Sequence, residues 1–184
     1  MTSLAATRAA VAAALVTLAV VLQVSVLPSF AWDGPASPVP NLLLLVVVAA
    51  ALTRGGQFAM VLGFAGGVVL DLAPPADHLA GRWALALLVV GYVAGRLRQD
   101  HAAGRWNGPS APPALAVVGT VAGCSFVGTS LYALTGVLLR DPAVGVGEML
   151  PAIAAGVLWD VLLTPLVVPA LMMLWRRLEP DFVR

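Results

Sequence analysis

Residues 41–72 read NLLLLVVVAAALTRGGQFAMVLGFAGGVVLDL and contain two almost wholly apolar runs separated by the polar segment 53–57. As a single helix this stretch would be about 48 Å long, whereas the hydrocarbon core of a bilayer is about 30 Å thick. We therefore predict two short helices, 41–53 and 57–72, joined by a tight turn. Each is shorter than a standard membrane crossing, so we expect either shielding by neighbouring helices or a partly re-entrant path.

The composition of the whole chain is typical of a membrane protein. Hydrophobic residues make up 60% of the 184 positions and charged residues 10%, whereas soluble domains average about 45–50% and about 25%. The connections between the apolar runs are too short to form a soluble domain. We therefore expect one transmembrane domain over residues 1–184, with an all-α fold and about six membrane-spanning helices. Besides the two above, the predicted helices cover residues 9–27, 83–97, 114–139 and 149–175.

The first apolar run, residues 9–27, has two interpretations. It follows Arg8, and Ser29-Phe30-Ala31 fits the small-x-small rule for cleavage of a signal peptide. However, the run is longer than the usual signal-peptide core of about 7–15 residues. We therefore favour a retained transmembrane helix over a cleaved signal peptide.

The placement of the basic residues predicts the orientation of the helices. All ten are arginines, and short cytoplasmic loops of membrane proteins carry an excess of positive charge. With the N-terminus in the cytoplasm, Arg82 and Arg140 lie outside and the other eight inside: Arg8, Arg54, Arg96, Arg98, Arg105, Arg176, Arg177 and Arg184. We therefore expect both termini in the cytoplasm. The net charge of +1, spread over short loops, gives no basic surface for nucleic acid.

Asp160 is the most informative polar residue, because it lies near the middle of the sixth apolar run, directly after Trp159. An exposed charge at that depth costs at least about 2.5 kcal/mol, so the carboxylate should face protein or a cavity. Pro165 and Pro169 lack an N–H and should kink the helix just below the acid. Three interpretations stay open: a partner-binding carboxylate, an ion-coupling carboxylate, or a structural acid that hydrogen-bonds an adjacent helix.

A second acid, Asp71, ends the third apolar run, and Arg82 begins the fourth on the same side of the membrane. An ion pair between these two side chains across the loop is a plausible structural role. Asp71 is then an anchor at a helix end.

Glycines spaced four residues apart occur in three of the apolar runs, and small residues at this spacing let helices approach closely in lipid. We predict tight internal packing for these pairs, with an intermolecular face as the alternative. The pairs are Gly63 with Gly67, Gly91 with Gly95, and Gly119 with Gly123.

The charged segment 96–105 is a candidate contact for anionic lipid or for a cytoplasmic filament. Because Asp100 and His101 interrupt its arginines, the polybasic signal is weak. We favour a role in anchoring the topology.

Signatures of enzymes and of cofactor sites are missing from the sequence, which contains no HExxH, no GxSxG and no phosphate-binding loop. Only Asp160 lies deep in an apolar run, whereas an aspartyl intramembrane protease needs two opposed acids. His78 and His101 fall on opposite sides of the predicted membrane and cannot share a metal ion. The lone Cys124 is expected to be a small buried hydrophobe. We therefore expect a protein that is not an enzyme, with no cofactor and no metal.

Two parts of the sequence resemble a known family. Residues 63–72, GFAGGVVLDL, are followed by Gly81 and by residues 91–97, GYVAGRL. This arrangement resembles the rod-shape-determining protein MreD, and residues 159–169 of the sixth run look like the actinobacterial version of that family. The resemblance covers roughly residues 40–175, and its motifs are patterns of glycine and aspartate rather than catalytic signatures.

What the resemblance implies is a non-enzymatic subunit of the cell-wall elongation complex in the bacterial plasma membrane, which regulates cell shape and peptidoglycan synthesis. Its implied partners are MreC, which has a single transmembrane helix, the MreB filament, RodA and a class B penicillin-binding transpeptidase. The implied fold is similar to the substrate-binding subunits of energy-coupling-factor vitamin transporters. The resemblance assigns no catalytic residue and does not say which face binds MreC.

From these observations we hypothesise that the protein docks the helix of MreC in a lateral groove, which the kinked sixth helix and Asp160 help to shape. The alternative is a substrate-binding subunit of a small-molecule, vitamin-type transporter, which the implied fold also fits. Vitamin recognition needs several converging polar groups, and polar residues within the apolar runs are few. A third reading, an acid-coupled ion carrier, rests on Asp160 alone.

Overall fold

The computed structural model describes residues 2–30, 39–74, 80–102, 113–139, 147 and 149–177. Within these ranges every regular element is a helix, as predicted for an all-α protein. The α-helices are α1 (Thr2–Val21), α2 (Leu42–Arg54), α3 (Gly56–Leu72), α4 (Arg82–Ala102), α5 (Ala114–Leu138) and α6 (Met149–Arg177). A π-helical turn, Leu22–Val26, and a 3₁₀ turn, Leu27–Phe30, continue α1.

A helix lies at each of the six ranges predicted from the apolar runs, and the differences are at the ends. Helix α1 begins before residue 9, in an alanine-rich segment, and α4 continues beyond residue 97 to Ala102. The prediction ended these helices where the apolar character ended. Alanine, arginine and glutamine are nevertheless good helix formers, so a helix can extend past its apolar part.

Among the described residues, three helical segments are long and apolar enough to cross a membrane: Ala9–Val26, which includes the π-helical turn after α1, Ala114–Leu138 and Met149–Arg177. The chain is therefore a membrane protein. Helices α2 and α3 are apolar but shorter, with 13 and 17 residues, and α4 ends in a charged segment. The number of six crossings stays a prediction.

Helix α2 forms the centre of the core. Residues 43–52 are all buried, and most of them have no exposed surface. The helix contacts α1, α3, α4, α5 and α6, as expected for a helix that is apolar on every side. The shielding expected for α2 is thus present, and a partly re-entrant path stays a prediction.

The turn between α2 and α3 is one residue long and depends on Gly55. The residue has φ +99°, a backbone conformation that side chains other than glycine's rarely adopt. Its N–H donates to the carbonyl oxygen of Ala51 at 3.1 Å and closes α2. The carbonyl oxygen of Gly55 in turn accepts from the N–H of Ala59 and begins α3. The predicted tight turn in 53–57 is confirmed.

Helices α3 and α4 pack against each other over most of their length through glycines. The four glycines at this contact are Gly63, Gly67, Gly91 and Gly95. A Cβ atom at any of them would overlap the backbone of the facing helix, at Leu87, Ala84, Ala59 and Gly56, respectively. The prediction of tight internal packing is confirmed for these two pairs.

The third glycine pair, Gly119 and Gly123, lies on an outer face of α5. Among the described residues, no atom lies within 4 Å of the Cβ position of either glycine. The prediction of internal packing is therefore wrong for this pair. The buried side of α5 is one position further along the helix, at Thr120 and Cys124.

Helix α1 covers part of α2 and α3. Its contribution to the core consists of small and β-branched residues, Ala12, Val16, Ala19 and Val20. The side chain of Gln23, in the π-helical turn that follows, accepts a hydrogen bond from the N–H of Leu43 at 3.2 Å. Retention of this helix stays a prediction, and its packing is compatible with it.

Candidate functional site

Asp160 lies on the buried face of α6, together with Thr164 and Val168 one and two turns further along. Its side chain is 1% exposed. One carboxylate oxygen, Oδ1, accepts the backbone N–H of Asn41 at 2.7 Å, and the other, Oδ2, accepts the hydroxyl of Ser125 at 2.6 Å. Asp160 therefore joins α6 to the start of α2 and to the middle of α5.

The start of α2 needs such partners because it is buried. The first N–H groups of a helix have no partner within the helix, and an unpaired N–H in an apolar environment is costly. Three side chains accept these groups: Asp160 accepts from Asn41, Gln23 from Leu43, and the Asn41 Oδ1 from Leu44 at 3.0 Å. The positive end of the α2 dipole also favours the carboxylate. The side-chain nitrogen of Asn41, Nδ2, is buried and has no hydrogen-bond partner among the residues that the structure describes.

The prolines of α6 do not end the helix, which continues through Pro165 and Pro169 to Arg177. Pro165 is on the exposed side of α6. Just before it, the hydroxyl of Thr164 donates to the backbone carbonyl of Asp160 at 2.7 Å. The predicted kink stays a prediction.

Asp71 has a similar structural position at the start of α4, which is partly buried. Its side chain is 1% exposed, and its two oxygens accept the backbone N–H groups of Gly81, Trp83 and Ala84 at 2.8, 3.1 and 3.1 Å. The last turn of α3 thus caps the first turn of α4. This geometry is that of an anchor at a helix end.

Arg82 connects α4 to α5. Its side chain is 3% exposed, and its Nη2 donates to the backbone carbonyl of Tyr132 at 2.8 Å. The guanidinium lies 3.9 Å from the centroid of the Tyr132 ring, on which Trp83 also stacks at 4.3 Å. Asp71 and Arg82 are thus at the same end of the α3–α4 pair. The ion pair between their side chains stays a prediction.

The predicted candidates therefore separate into two regions of the core and a set of packing positions. Asp160 lies at the start of α2, Asp71 and Arg82 lie at the start of α4, and the glycines lie between α3 and α4. Trp159 is 42% exposed and faces away from the core. The sequence analysis gave no role to Gln23, Ser125 or Asn41, and the signal available for Gln23 and Ser125 was their polarity within apolar runs.

The outer faces of α5 and α6 are apolar. Side chains that are at least half exposed follow each helix on its outer side: Leu115, Phe126, Leu134, Leu138, Leu150, Leu158, Leu162, Leu166 and Met173. In a membrane protein such faces contact lipid or the transmembrane helix of a partner.

Metal-ligating residues do not cluster in the described parts of the chain, where no group of three or more His, Cys, Asp or Glu residues could hold a metal ion. Cys124 is completely buried, as predicted for a small hydrophobe. His78 lies outside the described residues, as do residues 103–112 of the charged connection after α4.

Comparisons with known proteins add no assignment. No family model matches the chain, and no curated protein or solved structure matches it. Membership of the MreD family and the likeness to vitamin-transporter subunits stay predictions from the sequence.

Proposed function

We propose that this protein is an MreD-type subunit of the bacterial cell-wall elongation complex. It regulates cell shape and peptidoglycan synthesis by docking MreC and the wall synthases through its transmembrane faces, and it catalyses no reaction itself. In this proposal it crosses the plasma membrane six times and has the fold of the vitamin-transporter subunits. Both termini and the α2–α3 turn lie in the cytoplasm.

The observation that supports this proposal best is the separation of polar and apolar side chains. Asp71, Arg82 and Asp160 are buried and contact other helices of the same chain. The outward surfaces of α5 and α6 are apolar. A protein of this kind meets its partners through helix faces in the membrane. The resemblance of residues 63–72 and 91–97 to MreD suggests which partners these are.

Within this proposal, Asp160 acts through the position of α6 and does not touch MreC. Both of its oxygens are bonded to α2 and α5, and it is almost completely buried. The contact with MreC belongs to the outer face of α6. On that face Trp159 is 42% exposed and Leu162 is 58% exposed, one on each side of the acid in sequence.

The test is a pull-down of the tagged, detergent-solubilised chain from its native cells, with proteins and small molecules identified by mass spectrometry. We expect recovery of MreC together with RodA and the class B transpeptidase. The double variant Trp159→Ala, Leu162→Ala should lower MreC recovery at least about tenfold, because buried aromatic anchors contribute most to such interfaces. The matched control is Val61→Ala, Phe64→Ala on the outer face of α3, where both side chains are also exposed; it should leave recovery unchanged.

Other results contradict parts of the proposal. Recovery of ATPase subunits with a bound metabolite in place of MreC would identify a transporter subunit instead. An Asp160→Leu variant that still recovers MreC and keeps normal cell shape would remove the role given to that acid. Equal loss of MreC in the α6 variant and the α3 control would contradict the assignment of the face.

A further inference from the structure

A cleft of about 390 Å³ lies between the α2–α3 turn and α4. Two arginines, Arg54 and Arg96, and two glutamines, Gln57 and Gln99, are among its lining residues. Of the described residues that line it, none is Asp or Glu. The cleft is therefore positively charged and is within the size range of small-molecule sites, about 300–1,000 Å³.

Arg54 lines this cleft and has one unsatisfied donor. Its Nη1 atom is buried and has no hydrogen-bond partner in the described structure. The guanidinium lies over the ring of Phe58, 5.0 Å from the centroid, and this contact holds the group close to the turn. A buried guanidinium nitrogen without an acceptor is costly, so a rotation of the Arg54 side chain toward an acceptor in the cleft would be stabilising.

Arg98 adds a third positive charge at the turn. Its Nη1 atom lies 3.1 Å from the position that a Cβ atom would take at Gly55. Asp100 follows close in sequence and has an interaction of its own, but it is not among the residues that line the cleft. Among the described residues, no acid in the wall of the cleft neutralises its cationic groups.

The backbone at the turn is also suited to an anion. Gly55 precedes α3 and offers no side-chain cap, and the first intrahelical bond of α3 is donated by Ala59. The N–H groups before Ala59 form the positive end of a 17-residue helix. Gly56 and Gln57 both line the cleft. A Cβ atom at Gly56 would lie 3.2 Å from the Cα atom of Gly95, so the start of α3 packs closely on α4 beside the cleft.

The cleft lies near the C-terminal end of the apolar helix α6. Trp175, near the end of α6, packs edge-on against Phe58 with ring centroids 5.4 Å apart. Arg176 and Arg177 follow directly and are exposed. Arginines at the end of a membrane-spanning segment are typical of the headgroup layer, and basic pockets between transmembrane helices bind anionic headgroups.

We propose that the cleft formed by Arg54, Gln57, Arg96 and the glycine turn binds a phosphate group, presented by the headgroup of an anionic phospholipid. Arg54 and Arg96 donate charge-assisted hydrogen bonds to the phosphate oxygens, and the first N–H groups of α3 donate to the same anion. The site does not depend on the proposed role in wall synthesis.

The test is native mass spectrometry of the full chain in detergent, titrated separately with phosphatidylglycerol, phosphatidylcholine and inorganic phosphate. We expect the wild type to retain one phosphatidylglycerol in preference to phosphatidylcholine. Arg54→Gln, Arg96→Gln should weaken this binding at least about tenfold, since it removes two charged donors. The matched control is the double variant Arg176→Gln, Arg177→Gln. It removes the same amount of charge at the same end of the bundle but outside the cleft, and it should bind the lipid like the wild type.

A second variant protects the test against misfolding of the first. Gln57→Glu places an acid in the first turn of α3, where it suits the helix dipole and should not lower the melting temperature. The same acid should repel the anion and weaken phosphatidylglycerol binding.

Each outcome decides the proposal. If inorganic phosphate binds the wild type as tightly as the lipid does, and the double variant Arg54→Gln, Arg96→Gln loses this binding, the phosphate site is supported. Its ligand is then a soluble phosphate compound. Equal loss of lipid in both double variants, unchanged binding in Gln57→Glu, or no binding of either anion by the wild type would each overturn it.

Discussion

Asp71 and Asp160 meet the same physical requirement at two helix starts. Each carboxylate lies on one helix and accepts backbone N–H groups from the beginning of another: Asp71 at α4 and Asp160 at α2. Water cannot take this role inside an apolar bundle, so an acid in a neighbouring helix takes it. An acid in an apolar run is therefore evidence for a buried helix terminus as well as for chemistry.

Replacing Asp160 tests this role directly. In Asp160→Leu the N–H of Asn41 and the hydroxyl of Ser125 lose their acceptor, and each buried group left unpaired costs about 1–3 kcal/mol. We expect a lower melting temperature in detergent, with a smaller decrease for Asp160→Asn, which keeps one acceptor oxygen. The neighbouring exposed change Trp159→Leu is the control and should melt like the wild type. Equal melting of Asp160→Leu and wild type would contradict the structural role.

The partners of Asp160 could not be predicted from the sequence, although its burial could. A charge in the middle of an apolar run must be shielded, and this argument needs only the local sequence. Its partners Asn41 and Ser125 lie 119 and 35 positions away, and their distance depends on how three helices pack. Polarity within an apolar run was the available signal, but it does not say which polar residues meet.

At the scale of the helices, the glycines of α3 and those of α5 have the same spacing but different surroundings. One glycine from each helix can therefore be replaced by alanine to give a matched pair of variants. In Gly67→Ala the new Cβ would overlap the backbone of Ala84, so α3 and α4 must separate and the melting temperature should fall clearly. In Gly123→Ala the new Cβ meets open space. There the better helix propensity of alanine, worth about 1 kcal/mol, should raise the melting temperature or leave it unchanged.

A decrease in Gly123→Ala as large as that in Gly67→Ala would show that α5 also packs closely on another helix. The sequence predicted both contacts from the same motif, and among the described residues only the contact between α3 and α4 is present. The spacing of the glycines shows that a helix has a small-residue face. The position of that face relative to the core is set by the rest of the helix, here by Thr120 and Cys124.

The location of the helices was predictable because apolar runs and their polar interruptions are local properties of the sequence. Their arrangement was predictable only in part. Helix α2 is apolar on every side, which favours a central position, and residues 43–52 are indeed buried. Its contacts with five other helices follow from the packing of the whole chain, which no segment specifies alone.

At the scale of the whole molecule, the unequal distribution of arginines makes the orientation testable. The α2–α3 turn lies with Arg54 and Arg96 at one end of the bundle, and residue 147 precedes α6, whose other end carries Arg176 and Arg177. In the proposed topology the turn is cytoplasmic and residue 147 is external. Gln57, directly after the turn, and Gly147 are both exposed.

Single cysteines can report this arrangement. Cys124 is buried and is first removed as Cys124→Ala, after which Gln57→Cys and Gly147→Cys are made separately. A membrane-impermeant maleimide should label Gly147→Cys in intact cells and Gln57→Cys only after permeabilisation, because the positive end of the bundle faces the cytoplasm. The reverse pattern would contradict the orientation, and labelling of both in intact cells would contradict six crossings. Since the phosphate-binding cleft contains Gln57, the same experiment also determines which leaflet could supply its lipid.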